Sequence, residues 1–594
     1  MEQLSERRYQ LLVLAIWLFW SLMLAGMTLP STGDLIKDPD DYLRMVEVRD
    51  WLGGQSWFDV TQYRMNPPTG GEMHWSRWVD VPIAGMFLLG RTFLDTAGAT
   101  MFAMIAVPLL LLGLLMTVTA SITRGLAGRT VALLAIFLLP TFPLLIRQFL
   151  PGRIDHHSWQ IIMAALALWG LMQKDQRLSG LVMGFALAFW MHVSIEGLPF
   201  AAAFGALLAL LYFFPAFSNC EARERRVIIF VTAMTGFSGF FLLSTRTGNA
   251  LSAVYCDAVA WPLTTAMAIL SLGLILADRF HSRRLICVAI AAAATALGAA
   301  TYIKASGACA LDPFGNLSPL VRTFWHETIT EGLPIHQQMW AIVALLIYVP
   351  LMAGVVIFFG WAKLEAEQKK NWLALAFLLG FSTLMSFYVQ RTATVVQILA
   401  VPAFGVLTLF VIGLARKISL MPLRAVSTVV LVMALAPITV LVAADSFAPA
   451  PESVGPAIAD KSKRSCSSAE LNTLPTGRIF TTMAAGPDIL FHTSHSVFVS
   501  GYHRNHHKMH ILIATMLGKS EDALPVLKAF KADYVVICPE HFETQSYLKG
   551  HRNNFAAALL SEAYPSWLRP VAGFENSQMR VFTFAASNDK SVAK

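Results

Sequence analysis

The chain has 594 residues, of which 56% are hydrophobic and 14% charged, with a mean hydropathy of +0.57 and a formal net charge of +8. No water-soluble domain of ordinary composition approaches these values, so a polytopic membrane protein is expected. The basic residues sit mainly in short connections between apolar stretches, where orientation signals belong, so nucleic acid is not expected as a partner.

The first apolar stretch follows only the polar segment Met1 to Gln10 and has no small-residue cleavage site, so it reads as a retained helix rather than a removed signal peptide. A spanning helix needs about 20 mostly apolar residues. By that measure about thirteen spans are expected, beginning near Leu11, Ala99, Thr130, His157, Leu178, Phe200, Val227, Ala266, Ile286, Met339, Trp372, Thr392 and Ala425. Residues 1–444 thus form an α-helical membrane body with external loops. Residues 445–594 read as ordinary soluble sequence, joined through the linker-like "ADSFAPAPESVGP".

Arg7 and Arg8 precede the first span, and alternate connections carry "TRGLAGR", "QKDQR", "EARERR", "DRFHSRR", "AKLEAEQKK" and "ARK". The positive-inside rule places these and the N-terminus in the cytoplasm. An odd number of spans then puts the C-terminal domain outside an inner (plasma) membrane, together with the loops holding "DPDDYLR", "PGRIDHHSW" and "FWHETITEG". On this map Cys220 is cytoplasmic and Cys287 lies in a span. Cys256, Cys309, Cys466 and Cys538 fall outside, where the disulfides Cys256 with Cys309 and Cys466 with Cys538 are permitted. Free buried thiols are the alternative.

Carboxylates at a membrane surface mark a hydrated cavity, an ion pair or a bound cation, because stripping their water is costly. Three outward segments supply them: Asp38, Asp40 and Asp41; Asp155 beside His156 and His157; and Glu327 with Glu331. Oxygen ligands drawn from distant segments suit Mg2+ or Mn2+, and such an ion stabilises charge building on a departing phosphate. The alternative for Asp38 is a helix cap at the head of "YLRMVEVRDW". Arg391, in "FYVQRTATVVQILAVP", stands where the chain emerges between two spans. A guanidinium there binds a lipid phosphate through paired donors, or else snorkels to headgroups. "GYHRNHHKMH" offers His503, His506, His507 and His510 as metal ligands or as polar loop residues.

The C-terminal region alternates strand-like "GRIFTTM", "HSVFVSG", "ADYVVICP" and "MRVFTF" with helical "HKMHILIATML", "EDALPVLKAF" and "NNFAAALLSEA", the pattern of a small α/β domain. It holds no phosphate-cradling glycine-rich motif, so nucleotide-sugar use has no support.

In this order and on this face, the motifs resemble the GT-C superfamily of membrane glycosyltransferases, and most closely the catalytic subunit of oligosaccharyltransferases. "DPDDYLR" is similar to the family's first-loop motif, an Asp followed six residues later by Arg, which maps catalysis and metal binding onto Asp38. Asp40 or Asp41 replaces it if the register shifts, and Asp41 is otherwise a substrate contact. "MNPPTGGEMHWSRWVDVPIA", with Pro68, Gly70, Trp75 and Asp80, resembles the rest of that loop. "PGRIDHH" resembles the second acidic motif and maps metal binding onto Asp155, with His157 where the family often has a second acid. "TITE" resembles the TIxE motif of the mobile loop and maps its acid onto Glu331. "QRTATVVQILAVP" resembles the arginine motif that pairs with lipid-linked pyrophosphate, which points to Arg391.

One departure is plain. Where the family carries WWDYG, which recognises the Asn-x-Ser/Thr acceptor, this chain reads Thr482-Met483-Ala484-Ala485-Gly486, so glycosylation of that sequon is not implied. What the resemblance implies is an inverting, metal-dependent transfer of a sugar or oligosaccharide from a polyprenyl phosphate or pyrophosphate, held in membrane lipid, to a glycan, lipid or protein acceptor. A monosaccharide transferase using polyprenyl monophosphate shares these features. A lipid-linked glycan transporter would instead show mid-membrane charge and internal repeats.

Overall fold

The computed structural model describes residues 5–28, 35–36, 38–214, 224–245, 252–255, 257–310, 312, 314–447, 466–549 and 553–585. Two compact units interleave along the chain. Met1–Leu35, Trp75–Gly315 and Thr330–Ala448 form the first; Ile36–His74, Asn316–Ile329 and Pro449–Lys594 form the second.

The first unit is helical. Eight of its described helices are long and apolar enough to cross a bilayer: Glu6–Thr28, Thr96–Thr141, Arg226–Thr245, Trp261–Arg279, Arg284–Ser306, Trp340–Lys363, Ala366–Tyr388 and Gln390–Ala415. Met421–Leu435 and Pro437–Ser446, bent by 72°, make a ninth if they are one span. The chain is a multi-pass membrane protein.

Every expected span start lies in or at the edge of an apolar helix, yet the expected thirteen exceed these eight or nine because two are merged, two are short, and Gln176–Val193, which opens on Gln176 and Arg177, is not apolar enough. The segments near Ala99 and Thr130 are two helices within Thr96–Leu138, broken at Gly128 inside "TRGLAGR" and counted together as one candidate span. Gly128 has φ 85°, a conformation that side chains with a Cβ disfavour. The apolar helices His157–Leu171 and Gly197–Phe213 have only 15 and 17 residues, short of a full bilayer crossing. Helix Gln176–Val193 packs closely on Arg226–Thr245: Cβ atoms on Gly180 and Gly184 would meet Ile229 and Ala233 at 2.7 and 2.6 Å. Small residues four apart allow this approach, as in other membrane helix pairs.

The second unit is built on a five-stranded mixed sheet in the order Ser496–Val497, Arg478–Phe480, Tyr534–Ile537, Arg580–Phe584, Leu568–Pro570. The first three strands are parallel and the last two join antiparallel. Ile479, Phe480, Val535, Ile537 and Phe582 bury their side chains in its core. The α/β pattern expected from sequence is present. Leu568–Pro570 was not foreseen, and as an edge strand it tolerates its proline. Of the two readings left open for Cys466 and Cys538, the bridge is the one formed. Cys287 is a free buried thiol. Cys220, the Cys256–Cys309 pairing and most of the linker lie outside the described residues.

The chain around "DPDDYLR" packs within this second unit. Val497 N–H donates to Arg64 O and Asn66 N–H to Val497 O, both at 2.8 Å. The Arg64 guanidinium donates to the carbonyls of Leu490 and Thr493 at 2.7 and 2.8 Å. Arg49 donates to Phe491 O at 2.9 Å and lies 4.3 Å over that ring.

Candidate active site

In the first unit, the site begins where "PGRIDHH" turns into the helix His157–Leu171. Gly152 makes the turn at φ 93°, with its N–H on Met104 O at 2.9 Å. A Cβ there would lie 2.4 Å from Leu35 O, so position and conformation both require glycine. The chain then folds Asp155 back over the helix start. Asp155 Oδ1 accepts the His157 backbone N–H at 3.0 Å, and Oδ2 lies 2.7 Å from both Arg153 Nη2 and His157 Nδ1.

Asp155 is only 2% exposed. Burial alone would raise its pKa, but the Arg153 guanidinium and then the His157 imidazole outweigh it and hold the carboxyl well below the usual carboxylate range. Arg153 is held in turn by Gln148 Oε1 at 3.0 Å, and His156 stacks on His157 at 4.6 Å.

Glu331 arrives from a different segment. It sits in the single turn Thr330–Gly332, which Gln338 closes by donating to Thr330 O and Leu333 O at 2.6 and 2.8 Å. Glu331 Oε1 is 3.7 Å from His157 Nε2. Burial opposes its ionisation, but His157, Arg391 and Arg153 together lower its pKa. The second acidic motif and the TIxE-like loop therefore meet at His157. His157 Nε2 is buried with no hydrogen-bond partner among the described residues.

Arg391 lies in the turn Gln390–Thr392 that opens the helix Ala393–Ala415, and Gln390 N–H donates to Leu333 O at 3.3 Å. Its Nη1 is 3.0 Å from Glu196 Oε1, with the two side chains 24% and 28% exposed. Sequence reasoning missed Glu196 and Arg153. Both had a signal: Glu196 is a lone carboxylate in "SIEGLPF" between two apolar segments, and Arg153 lies inside the second acidic motif.

Asp38 and Asp41 belong to the second unit. Asp38 is the N-cap of the helix Pro39–Leu52, accepting Asp40 N–H at 3.1 Å, with Pro39 at the first helical position. The capping reading of Asp38 is thus observed. Asp41, Arg44 and Glu47 follow at three-residue spacing on one helix face, and all are buried. Asp41 is fully so. The four histidines of "GYHRNHHKMH" diverge: His503 packs on His74 at 5.1 Å, His506 on His507 at 4.0 Å, and His510 Nδ1 lies 2.8 Å from Ser318 Oγ.

The turn that holds Thr482 to Gly486 runs from strand Arg478–Phe480 into helix Gly486–His492. Buried Glu543 grips it, accepting the Met483 and Ala484 N–H groups at 2.9 and 2.8 Å and the Tyr547 hydroxyl at 2.5 Å. Burial raises the Glu543 pKa, while these donors work the other way.

No family model matches the sequence, and no curated protein matches it either. Solved structures do, and the likeness is one of fold. The oligosaccharyltransferase AglB from Archaeoglobus fulgidus, in complex with an inhibitory peptide and a dolichol-phosphate, matches with a TM-score of 0.65 and 14% identity over 93% of this chain and 71% of that one. The same enzyme tethered to an acceptor peptide containing the NVT sequon matches at 0.62, with 13% identity over 93% and 71%. In complex with Zn and sulfate it matches at 0.59, with 12% identity over 92% and 70%. The shared feature is the fold, from the membrane helices to the C-terminal domain.

Proposed function

We propose that the chain is a GT-C membrane glycosyltransferase. It transfers a sugar or oligosaccharide from a polyprenyl phosphate or pyrophosphate to an acceptor on the outer face of an inner (plasma) membrane, with the N-terminus cytoplasmic. Residues 1–444 are its catalytic membrane body and 445–594 its external domain. The observation that carries this reading is the meeting of Asp155, His157 and Glu331, residues of two separated motifs, within a fold shared with AglB.

His157 and Glu331 offer a divalent cation one imidazole and one carboxylate. Two carboxylates flank one imidazole, and the buried Nε2 of His157 faces Glu331 Oε1 at 3.7 Å without a hydrogen bond. Asp155, through His157 Nδ1, orients that imidazole in the manner of carboxylate–histidine pairs at metal centres. Imidazole among the donors favours Mn2+ over Mg2+. His157 Nε2 and Glu331 would hold the ion, with Asp155 behind the imidazole on Nδ1, and the ion would stabilise charge on a leaving phosphate.

Arg391 binds the donor phosphate through paired N–H groups. The acceptor oxygen or nitrogen attacks the anomeric carbon opposite the phosphate. The C–O bond to phosphate breaks, phosphate keeps the electron pair, and the acceptor proton passes to a carboxylate. On the resemblance of its motif alone, Asp38 is that carboxylate and Asp41 a substrate contact. With WWDYG replaced, an acceptor other than the Asn-x-Ser/Thr sequon is proposed. The test is to supply nanodisc-embedded protein with polyprenyl-linked sugars and identify the released lipid by mass spectrometry. Free polyprenyl phosphate or pyrophosphate supports transfer and names the donor. An intact donor moved across the bilayer points to transport instead.

A further inference from the structure

Arg391 is held by a carboxylate of its own unit that none of the motifs contains. Glu196 follows helix Gln176–Val193 at the entry to helix Gly197–Phe213, and its Oε1 meets Arg391 Nη1 at 3.0 Å. Backbone hydrogen bonds close the turn that presents Glu196. Ser194 N–H donates to Trp190 O at 2.8 Å and Gly197 N–H to Ser194 O at 3.1 Å, and a Cβ on Gly197 would lie 2.8 Å from the Trp190 ring. The ion pair with Glu196 is the Arg391 contact that the geometry shows. An entering phosphate would meet the Glu196 carboxylate at the guanidinium.

We infer that Glu196 is the internal counter-ion of Arg391, a positioning residue that occupies the guanidinium until the lipid phosphate displaces it. The inference rests on the proposed role of Arg391 in binding donor phosphate. Exchanging one carboxylate for one phosphate keeps the cation neutralised throughout. It also sets a threshold: a ligand must out-compete Glu196, which favours a phosphate dianion or pyrophosphate over weaker anions. The apparent affinity is lowered by the fraction of protein in which the latch is closed.

Binding of farnesyl phosphate to the full chain in nanodiscs tests this by titration calorimetry. Glu196→Gln keeps the shape of the side chain and removes its charge. It is expected to tighten binding about two- to fivefold, the range a partly exposed ion pair supplies. Glu196→Asp retains the charge on a shorter arm and is expected to fall between wild type and Glu196→Gln. It also serves if the glutamine variant folds poorly. In a transfer assay Glu196→Gln lowers KM for the donor while kcat stays within about twofold, a split that a merely structural role would not produce. Unchanged or weaker binding by both variants overturns the inference. Arg391→Gln separates the two readings. If it weakens binding at least tenfold while Glu196→Gln does not tighten it, only the latch fails. If Arg391→Gln binds as wild type does, the phosphate role of Arg391 fails and the latch with it.

Discussion

Asp155 Oδ2 lies 2.7 Å from His157 Nδ1, and that contact decides which ring nitrogen of His157 faces Glu331. A buried carboxylate has fixed the orientation of a neighbouring imidazole, and both follow from a motif only seven residues long, "PGRIDHH".

Because Asp155 and Glu331 both titrate below their ordinary values, their ionised forms stabilise the fold. For a carboxylate with a depressed pKa, that contribution is complete above the unfolded value, near 4, and is lost as pH falls through the folded value. Thermal unfolding in detergent should therefore show a melting temperature level from about pH 7 to 5 and falling below about pH 4. In Asp155→Asn the acid limb should be shallower. An unchanged limb would remove Asp155 from the explanation.

Gly152→Ala places a methyl group 2.4 Å from Leu35 O at a φ of 93°. Strain of about 2–3 kcal/mol is expected, and the turn that aims Asp155 should shift. The measurement is a melting temperature together with donor affinity. A stable variant that binds donor as wild type does would show that the turn tolerates a side chain.

In the external unit, Glu543→Ala leaves the buried Met483 amide and the half-buried Ala484 amide without their acceptor. A loss of about 2–4 kcal/mol follows from two stranded donors. Amide hydrogen exchange should accelerate at those two positions first. If exchange rises evenly across the unit instead, Glu543 does not act on this turn in particular.

The Cys466–Cys538 bridge closes a loop of sequence separation 72. Paired replacement by serine should lower stability by about 2–4 kcal/mol. Melting with and without reductant should show the same drop in wild type and none in the double variant.

Much of this was legible in the sequence because apolar length and charge bias act locally. The helical body and the α/β pattern follow from segments read one at a time, whereas the Cys466–Cys538 bridge was only one of the arrangements the sequence permitted. The number of crossings did not, since a kink at Gly128 and short helices such as His157–Leu171 look like ordinary boundaries in composition. Nor did pairings between distant segments. Glu196 with Arg391 spans two loops, and Glu543 with the 483–484 amides joins a helix to a turn that holds no charged residue. Packing of "DPDDYLR" in the C-terminal unit was likewise hidden, because it depends on backbone pairing of Arg64 and Asn66 with Val497.

The most direct measurement is the rate of polyprenyl-linked sugar cleavage by the protein in nanodiscs, wild type against Asp155→Asn, each before and after metal chelation. A metal-dependent glycosyltransferase with its ion held through Asp155, His157 and Glu331 should cleave donor, lose that activity to chelator and regain it with Mn2+. The asparagine variant should be slower by about 10- to 100-fold, the range seen when a carboxylate supporting a metal ligand is lost. Equal, chelator-insensitive cleavage by both proteins would contradict the site, and no cleavage by either with every donor class would contradict the enzyme.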